Sequence, residues 1–511
     1  MTKASELYQH AKRYCLHSAL ANLGIACMKL FTNDVSLKNL RPATLNEFQI
    51  AFIAKALILN SNDYRQQKFE DKGLFNCANL FNNLYEPFMD IPEDWSPEQK
   101  LDATNMFLVR MANQQFPFQT RIGSLVPRAL FLFDEIPQEI KNPKIDVKKE
   151  IENIYDLTPK QIMIVGFAIF AKSADGYFNP ENLINTESSE LKKHLTREVV
   201  EKFISLMKAD YDTLRDIYRA DEGKEGFEQY AFNALRTYPI VQTQIAGFVI
   251  PVPRFIIERI SNGIFYSLMD KFKAQNSNPF LEFFGKEIFE VYVKKLFSLR
   301  YKNDELITEF EYKNGKRKII SPDLILLEGD EAILIECKTS GITREAKSWG
   351  DKEKLIEDLK IRVVKAIMQM DTFVKDFNKG LVSNPKLKKI KNFRFVVVTY
   401  DRIFLSGSPA IRNLINRELV KNGLNNFNYQ IMGIDEVEVL LPVLQKFRFG
   451  ELIDAKISND DWATHDFDVF LGHFIEDKGV DIERDNPLLR EKFDKLMQEI
   501  SPNIGLKKDN R

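Results

Sequence analysis

Residues 320–340 read ISPDLILLEGDEAILIECKTS, and three charged side chains, Asp323, Glu336 and Lys338, stand there among apolar ones. Buried charge is costly unless something compensates it. Gly329-Asp330 between two apolar runs has the composition of a two-residue hairpin loop. Counting outward from that loop pairs Glu328 with Glu331 and places Asp323 opposite Glu336. Opposed residues share a face of the sheet, and Lys338 joins them because side chains alternate with period two. The other face receives Leu324, Leu326, Ile333 and Ile335, which is a core.

Two acids facing each other destabilise a sheet, and a divalent cation reverses that sign. Carboxylates without a thiolate or imidazole ligand make a hard oxygen site, suited to Mg²⁺ or Mn²⁺. Such an ion polarises a phosphate and generates a nucleophilic water. Lys338 can orient that water or stabilise developing negative charge. These are the parts of a phosphodiester hydrolase. The plainer alternative is a surface hairpin whose ends carry solvated charges, with Lys338 neutralising Glu336.

The flanking sequence predicts the elements that would hold such a site. Asn278 caps and Pro279 opens a helix over 279–299. A strand near 305–313, the hairpin, and a helix over 351–377 follow. FRFVVVT (393–399) is a β-branched run typical of a strand covered on both faces. A helix near 409–422 and the segment 428–447 close an α/β unit with a central mixed sheet. The polar stretch 271–278 is the expected boundary with a mostly helical region, residues 1–270. That region includes helices over 43–60, capped by Thr44, and 157–173, capped by Thr158 with Pro159 at the first position. Residues 179–207 read as a loop followed by one amphipathic helix. Residues 248–272 read as a short strand, a turn and a helix. Residues 448–511 read as a helical extension.

At 511 residues the chain is too long for one ordinary core. Its net charge of -1 means that a nucleic-acid partner needs a local basic surface. One candidate is 379–394, which contains Lys379, Lys386, Lys388, Lys389, Lys391 and Arg394 and no acid. It reads equally as a solvated loop before a buried strand. The four cysteines form no CxxC pair and the five histidines are scattered. That pattern argues against a disulfide framework and a zinc site and fits a reducing, cytoplasmic compartment. No stretch reaches the roughly 18 apolar residues of a membrane span. Signatures for nucleotide hydrolysis, dinucleotide binding and zinc proteolysis are missing.

Pro322-Asp323 and Glu336-Cys337-Lys338 resemble the signature of the PD-(D/E)XK nuclease superfamily, whose fold is restriction-endonuclease-like. The resemblance covers roughly 279–447. It implies that Asp323 and Glu336 hold the metal and that Lys338 serves catalysis. It also implies a further ligand on the preceding helix, which GKEIFEVYV places at Glu290. An exposed ion pair with Lys294 would explain Glu290 without metal. By the same resemblance Lys365 and Gln369, on the long helix, become candidates for site support; a solvated polar stripe is the alternative. The superfamily mostly cuts DNA, so DNA rather than RNA is the expected substrate. A nuclease joined to a large helical region resembles bacterial genome-defence effectors. The helical region would then sense a trigger, bind a protein regulator, or build a homo-oligomer. The rival expectation is an inactive nuclease fold that serves as a nucleic-acid-binding or scaffold protein.

Overall fold

The computed structural model describes residues 4–32, 45–84, 92–119, 122–186, 188–220, 228–245, 247–274, 278–339, 341–425, 427–483 and 485–500. The chain divides into two units, neither continuous in sequence. Unit 1 comprises Met1–Ile91, Phe118–Gln275 and Glu491–Arg511; unit 2 comprises Pro92–Pro117 and Asn276–Arg490. The break after Gln275 lies inside the polar stretch 271–278. Two segments depart from a linear division. Helix Pro97–Gln115 belongs to unit 2, where Met106 and Val109 join the core. Residues after 447 are divided, those from Glu491 onward belonging to unit 1, where the Phe493 and Phe167 rings meet at 5.6 Å. An apolar stripe fixes that a helix must bury a face, not which core receives it.

Unit 1 is mostly helical. Helix Glu47–Asn60 is buried almost all round and starts at Asn46, whose side chain forms a capping box with Gln49. The expected cap, Thr44, lies outside the described residues. Helix Pro159–Lys172 starts as expected, with Thr158 as cap and Pro159 in its first turn. Segment 179–207 forms three helices, Glu181–Ile184, Ser189–His194 and Arg197–Met207. The Ser188 and Thr196 side chains each accept a backbone N–H and restart the helix. Strands β1 (Tyr177–Phe178), β2 (Lys208–Asp210), β3 (Ile240–Gln242) and β4 (Phe248–Val249) form a sheet in the order β1-β4-β3-β2. The buried Asp63 carboxylate ties this unit together. It accepts the His17 N–H at 2.8 Å, the Tyr211 hydroxyl at 2.8 Å and the Gln244 N–H at 3.0 Å. Among the described residues no single helix is long and apolar enough to cross a membrane.

Unit 2 is built on strands β5 (Leu306–Thr308), β6 (Glu311–Asn314), β7 (Arg317–Ile320), β8 (Leu324–Glu328), β9 (Glu331–Lys338), β10 (Asn392–Thr399) and β11 (Tyr429–Gly433). Five of them form a mixed sheet in the order β11-β10-β9-β8-β5. β5, β8 and β9 are antiparallel neighbours, and β10 pairs parallel with both β9 and β11. The β8–β9 register runs from Glu328↔Glu331 to Leu324↔Ile335, as counted from the loop. Gly329 takes φ +73°, a left-handed value that glycine adopts without strain. Both faces of the hairpin are covered. Ile325, Ala332 and Leu334 share a core with Val363, Ile367 and Met370 of the long helical segment, and Leu324, Leu326, Ile333 and Ile335 are as deeply buried on the other face. The strand expected over 305–313 stops at Thr308. β6 and β7 form a separate two-stranded ribbon inserted between β5 and β8.

Candidate functional site

Asp323 lies one residue before β8, so the ladder places it opposite Glu336. Its Oδ2 accepts the Cys337 N–H at 2.7 Å, which locks the carboxylate onto β9. On its other side the Asp323 carbonyl accepts the Glu309 N–H at 3.0 Å. Thr308↔Leu324 is the last β5–β8 pair, so Glu309 falls in the same row. Three acids, Glu309, Asp323 and Glu336, thus stand side by side across three strands.

A fourth acid comes from a helix. Asn278 caps it by accepting the N–H groups of Phe280 and Leu281, with Pro279 in the first turn. The helix widens into a π turn over Phe284–Phe289, and Glu290 follows immediately. Wide turns of this kind re-aim side chains and recur at functional sites. The turn is held by edge-on contacts of Phe284 and Phe289 with Tyr400 at 5.3 and 5.7 Å. Gly285 lets it approach β9: a Cβ there would lie 3.3 Å from Thr339 Cγ2.

The outcome is a cluster in which ligand oxygens of Glu290, Glu309 and Asp323 all lie within 4.8 Å of one another. Lys286, one turn before Glu290, contacts two of these acids. Its Nζ is 3.3 Å from Glu290 Oε2 and pairs closely with Glu309. Lys294, weighed as the partner of Glu290, is exposed on the same helix, and Lys286 takes that role. Lys338 Nζ donates to Glu336 Oε2 at 2.7 Å.

Burial and crowding shift these groups. Burial, then the Asp323 charge, pushes Glu290 up to about 8. The same two causes raise Glu336 to about 7. Burial also raises Asp323, against the pull of the Cys337 N–H. Burial alone would lower Lys338, and the Glu336 charge outweighs it and carries the ammonium upward. Burial and like-charge neighbours together hold these acids above their ordinary range. Three half-buried carboxylates match a hard divalent cation such as Mg²⁺ or Mn²⁺ by donor type.

Lys365 and Gln369 are exposed on helix Lys365–Asn378. The lysine-rich loop leads into β10, which starts opposite Glu331, at the far end of β9 from Lys338. That separation is about 23 Å at 3.3 Å per residue. Lys391 there pairs with Asp330 at 3.4 Å, and Lys386 bonds the Asn303 carbonyl. Lys388 and Lys389 are exposed on the same loop. Sequence reasoning missed Glu309 and Lys286. Lys286 was within the quoted helix motif at i−4 of Glu290. Glu309 becomes visible only once β5 is paired with β8 across the inserted ribbon.

The chain matches no family model, and searches of curated proteins and solved structures return no match.

Proposed function

We propose that unit 2 is a metal-dependent DNA endonuclease with a restriction-endonuclease-like core. The antiparallel β5-β8-β9 meander, extended by a parallel fourth strand, supports the core assignment. The observation that carries the activity is the convergence of Glu290, Glu309 and Asp323 beside the Glu336–Lys338 pair. In this reading Glu290, Glu309 and Asp323 hold Mg²⁺ or Mn²⁺, with Glu336 at the edge of the shell. The ion would supply a polarised phosphate and an activated water. Lys338, fixed by Glu336, stabilises the negative charge that grows on the phosphate. Lys286 compensates the carboxylates while the cation is absent and turns outward when it binds. The helical unit 1 takes the role of sensor or restraint in a cytoplasmic genome-defence effector. It answers to a protein trigger that binds the active state more tightly than the resting one.

A competing reading, a nuclease-like fold that binds without cutting, draws on the Lys286 and Lys338 ion pairs, which offset part of the acidic charge without metal. Plasmid DNA, duplex RNA and Mg²⁺ or Mn²⁺ separate the two. Nicking or linearisation that stops in EDTA is expected. Binding without cleavage under every divalent ion and with unit 1's partner supplied from a lysate would favour the competing reading.

A further inference from the structure

Strands β6 and β7 read EYKN-GK-RKII and carry Lys313, Lys316, Arg317 and Lys318 against one acid, Glu311. They are joined by a two-residue loop, Gly315-Lys316, with Gly315 at φ +61°. Such a loop makes a short, stiff hairpin. One face is anchored. Tyr312 donates its hydroxyl to the buried Asp376 at 3.1 Å, Asn314 donates to the same carboxylate at 3.0 Å, and the Tyr312 ring meets Phe373 edge-on at 5.8 Å. The other face is presented to solvent: Glu311, Lys313, Lys318 and Ile320 are all exposed. The register sets Lys313 directly opposite Lys318 on that face. Like charges so placed are destabilising in isolation. Glu311 offsets only one of them, at 3.0 Å from Lys318. Lys316 and Arg317 extend the positive charge to the tip.

The base of the ribbon is fixed to the acidic cluster. Ser321 N–H donates to the Phe310 carbonyl at 3.0 Å, and the Phe310 N–H donates to Ser321 Oγ at 2.9 Å. The next bond along is Glu309 N–H to the Asp323 carbonyl. The ribbon therefore springs from the two strand ends that carry two of the three clustered acids. Four residues per strand give it a length of about 14 Å, roughly four base-pair steps.

We infer that the β6–β7 ribbon is the arm that engages duplex DNA and delivers a backbone phosphate to the acidic cluster, an inference that rests on the nuclease reading of unit 2. A two-stranded ribbon fits the major groove of B-form DNA, whereas the major groove of A-form RNA is too deep and narrow for side chains to read. The arm thus assigns duplex DNA as the substrate class. It also supplies, beside the cluster, the basic surface that the distant lysine loop does not.

The test uses the full chain and a fluorescent 30-base-pair DNA duplex in Ca²⁺, followed by anisotropy across a salt series. The quadruple variant Lys313→Gln, Lys316→Gln, Arg317→Gln, Lys318→Gln changes exposed positions only. Each cation that meets a phosphate contributes about 0.9 to the salt slope, so removing four should cost about 3.6 units of slope. At about 0.1 M salt its Kd should rise on the order of 10²-fold. Mn²⁺ affinity by calorimetry should not change. Glu311→Gln frees Lys318 and should tighten DNA binding severalfold, a gain that a structural role for the ribbon does not produce. Unchanged affinity and slope in the quadruple variant overturn the inference, and so does equal, ribbon-dependent binding of duplex RNA. Ribbon-dependent DNA binding without cleavage by the wild type in Mg²⁺ or Mn²⁺, with unit 1's partner supplied from a lysate, leaves the arm standing and removes the nuclease reading. Cleavage by the wild type with a ribbon variant that binds and cuts normally does the reverse.

Discussion

Replacing Glu290 by Gln tests the electrostatics of the site without needing activity. In the folded chain Glu290 titrates at about 8, against an ordinary value of 4.5. Below pH 4.5 folded and unfolded chains both hold the proton, and the residue costs nothing. Between pH 4.5 and 8 the folded chain holds a proton that the unfolded chain has lost, so stability falls as pH rises. Above pH 8 the full cost is present. The difference between about 8 and 4.5 corresponds to a ceiling of about 5 kcal/mol. The side chain keeps 21% of its surface exposed, so solvent screens part of this, and about 2–3 kcal/mol is the expected effect. Gln matches the protonated acid in shape. In EDTA, Glu290→Gln should therefore melt like the wild type at pH 5 and about 5–10 °C higher at pH 8.5, using about 2–4 °C per kcal/mol for a unit of this size. Added Mn²⁺ should raise the wild-type melting temperature at pH 8.5 and leave the variant nearly unmoved, because cation and proton compete for the same carboxylates. A melting difference that does not depend on pH, or a variant less stable at pH 8.5, would falsify the crowded-carboxylate account. It would leave Glu290 as a simple ion-pair partner of Lys286.

Lys286→Met removes the ammonium that rests on Glu290 and Glu309; calorimetry should show Mn²⁺ affinity rising about fivefold, the equivalent of roughly 1 kcal/mol for a partly exposed pair. Asp323→Asn keeps an oxygen for the Cys337 N–H, so the fold should hold while plasmid cleavage drops at least about 10²-fold; cleavage at wild-type rate removes Asp323 from the site. Lys338→Met should leave Mn²⁺ binding within about twofold but lower single-turnover cleavage on the order of 10²-fold. A chain beginning at residue 276 lacks helix Pro97–Gln115 and the core contacts of Met106 and Val109. It should unfold without a sharp transition, and a cooperative melt should return when residues 92–117 are joined to it.

The hairpin could be read from sequence because its information is local. A Gly-Asp loop sets the register, period two sets the faces, and the pairing of Asp323 with Glu336 follows by counting. The caps at Asn278 and Thr158 are equally local, since each side chain closes a hydrogen bond within the next few residues. The β6–β7 ribbon was only partly within the same reach. Gly315 marks a turn between two short runs and the basic charges are adjacent in the chain, but counting from Asn314-Gly315 as the loop would centre the hairpin one residue before the observed Asn314↔Arg317 pairing. What lay beyond the sequence depended on pairing between distant segments. Glu309 joins Asp323 only because β5 bonds to β8 across the inserted ribbon, and no spacing rule announces that pairing. The 379–394 loop looked suited to phosphate by composition, but the parallel β9–β10 register sends it to the opposite end of the sheet. Helix Pro97–Gln115 shows the same limit. Its apolar positions state that a face must be buried, and tertiary structure chose the core of unit 2 to bury it. Periodicity reports the need for a partner surface, whereas the identity of that surface is a property of the folded chain.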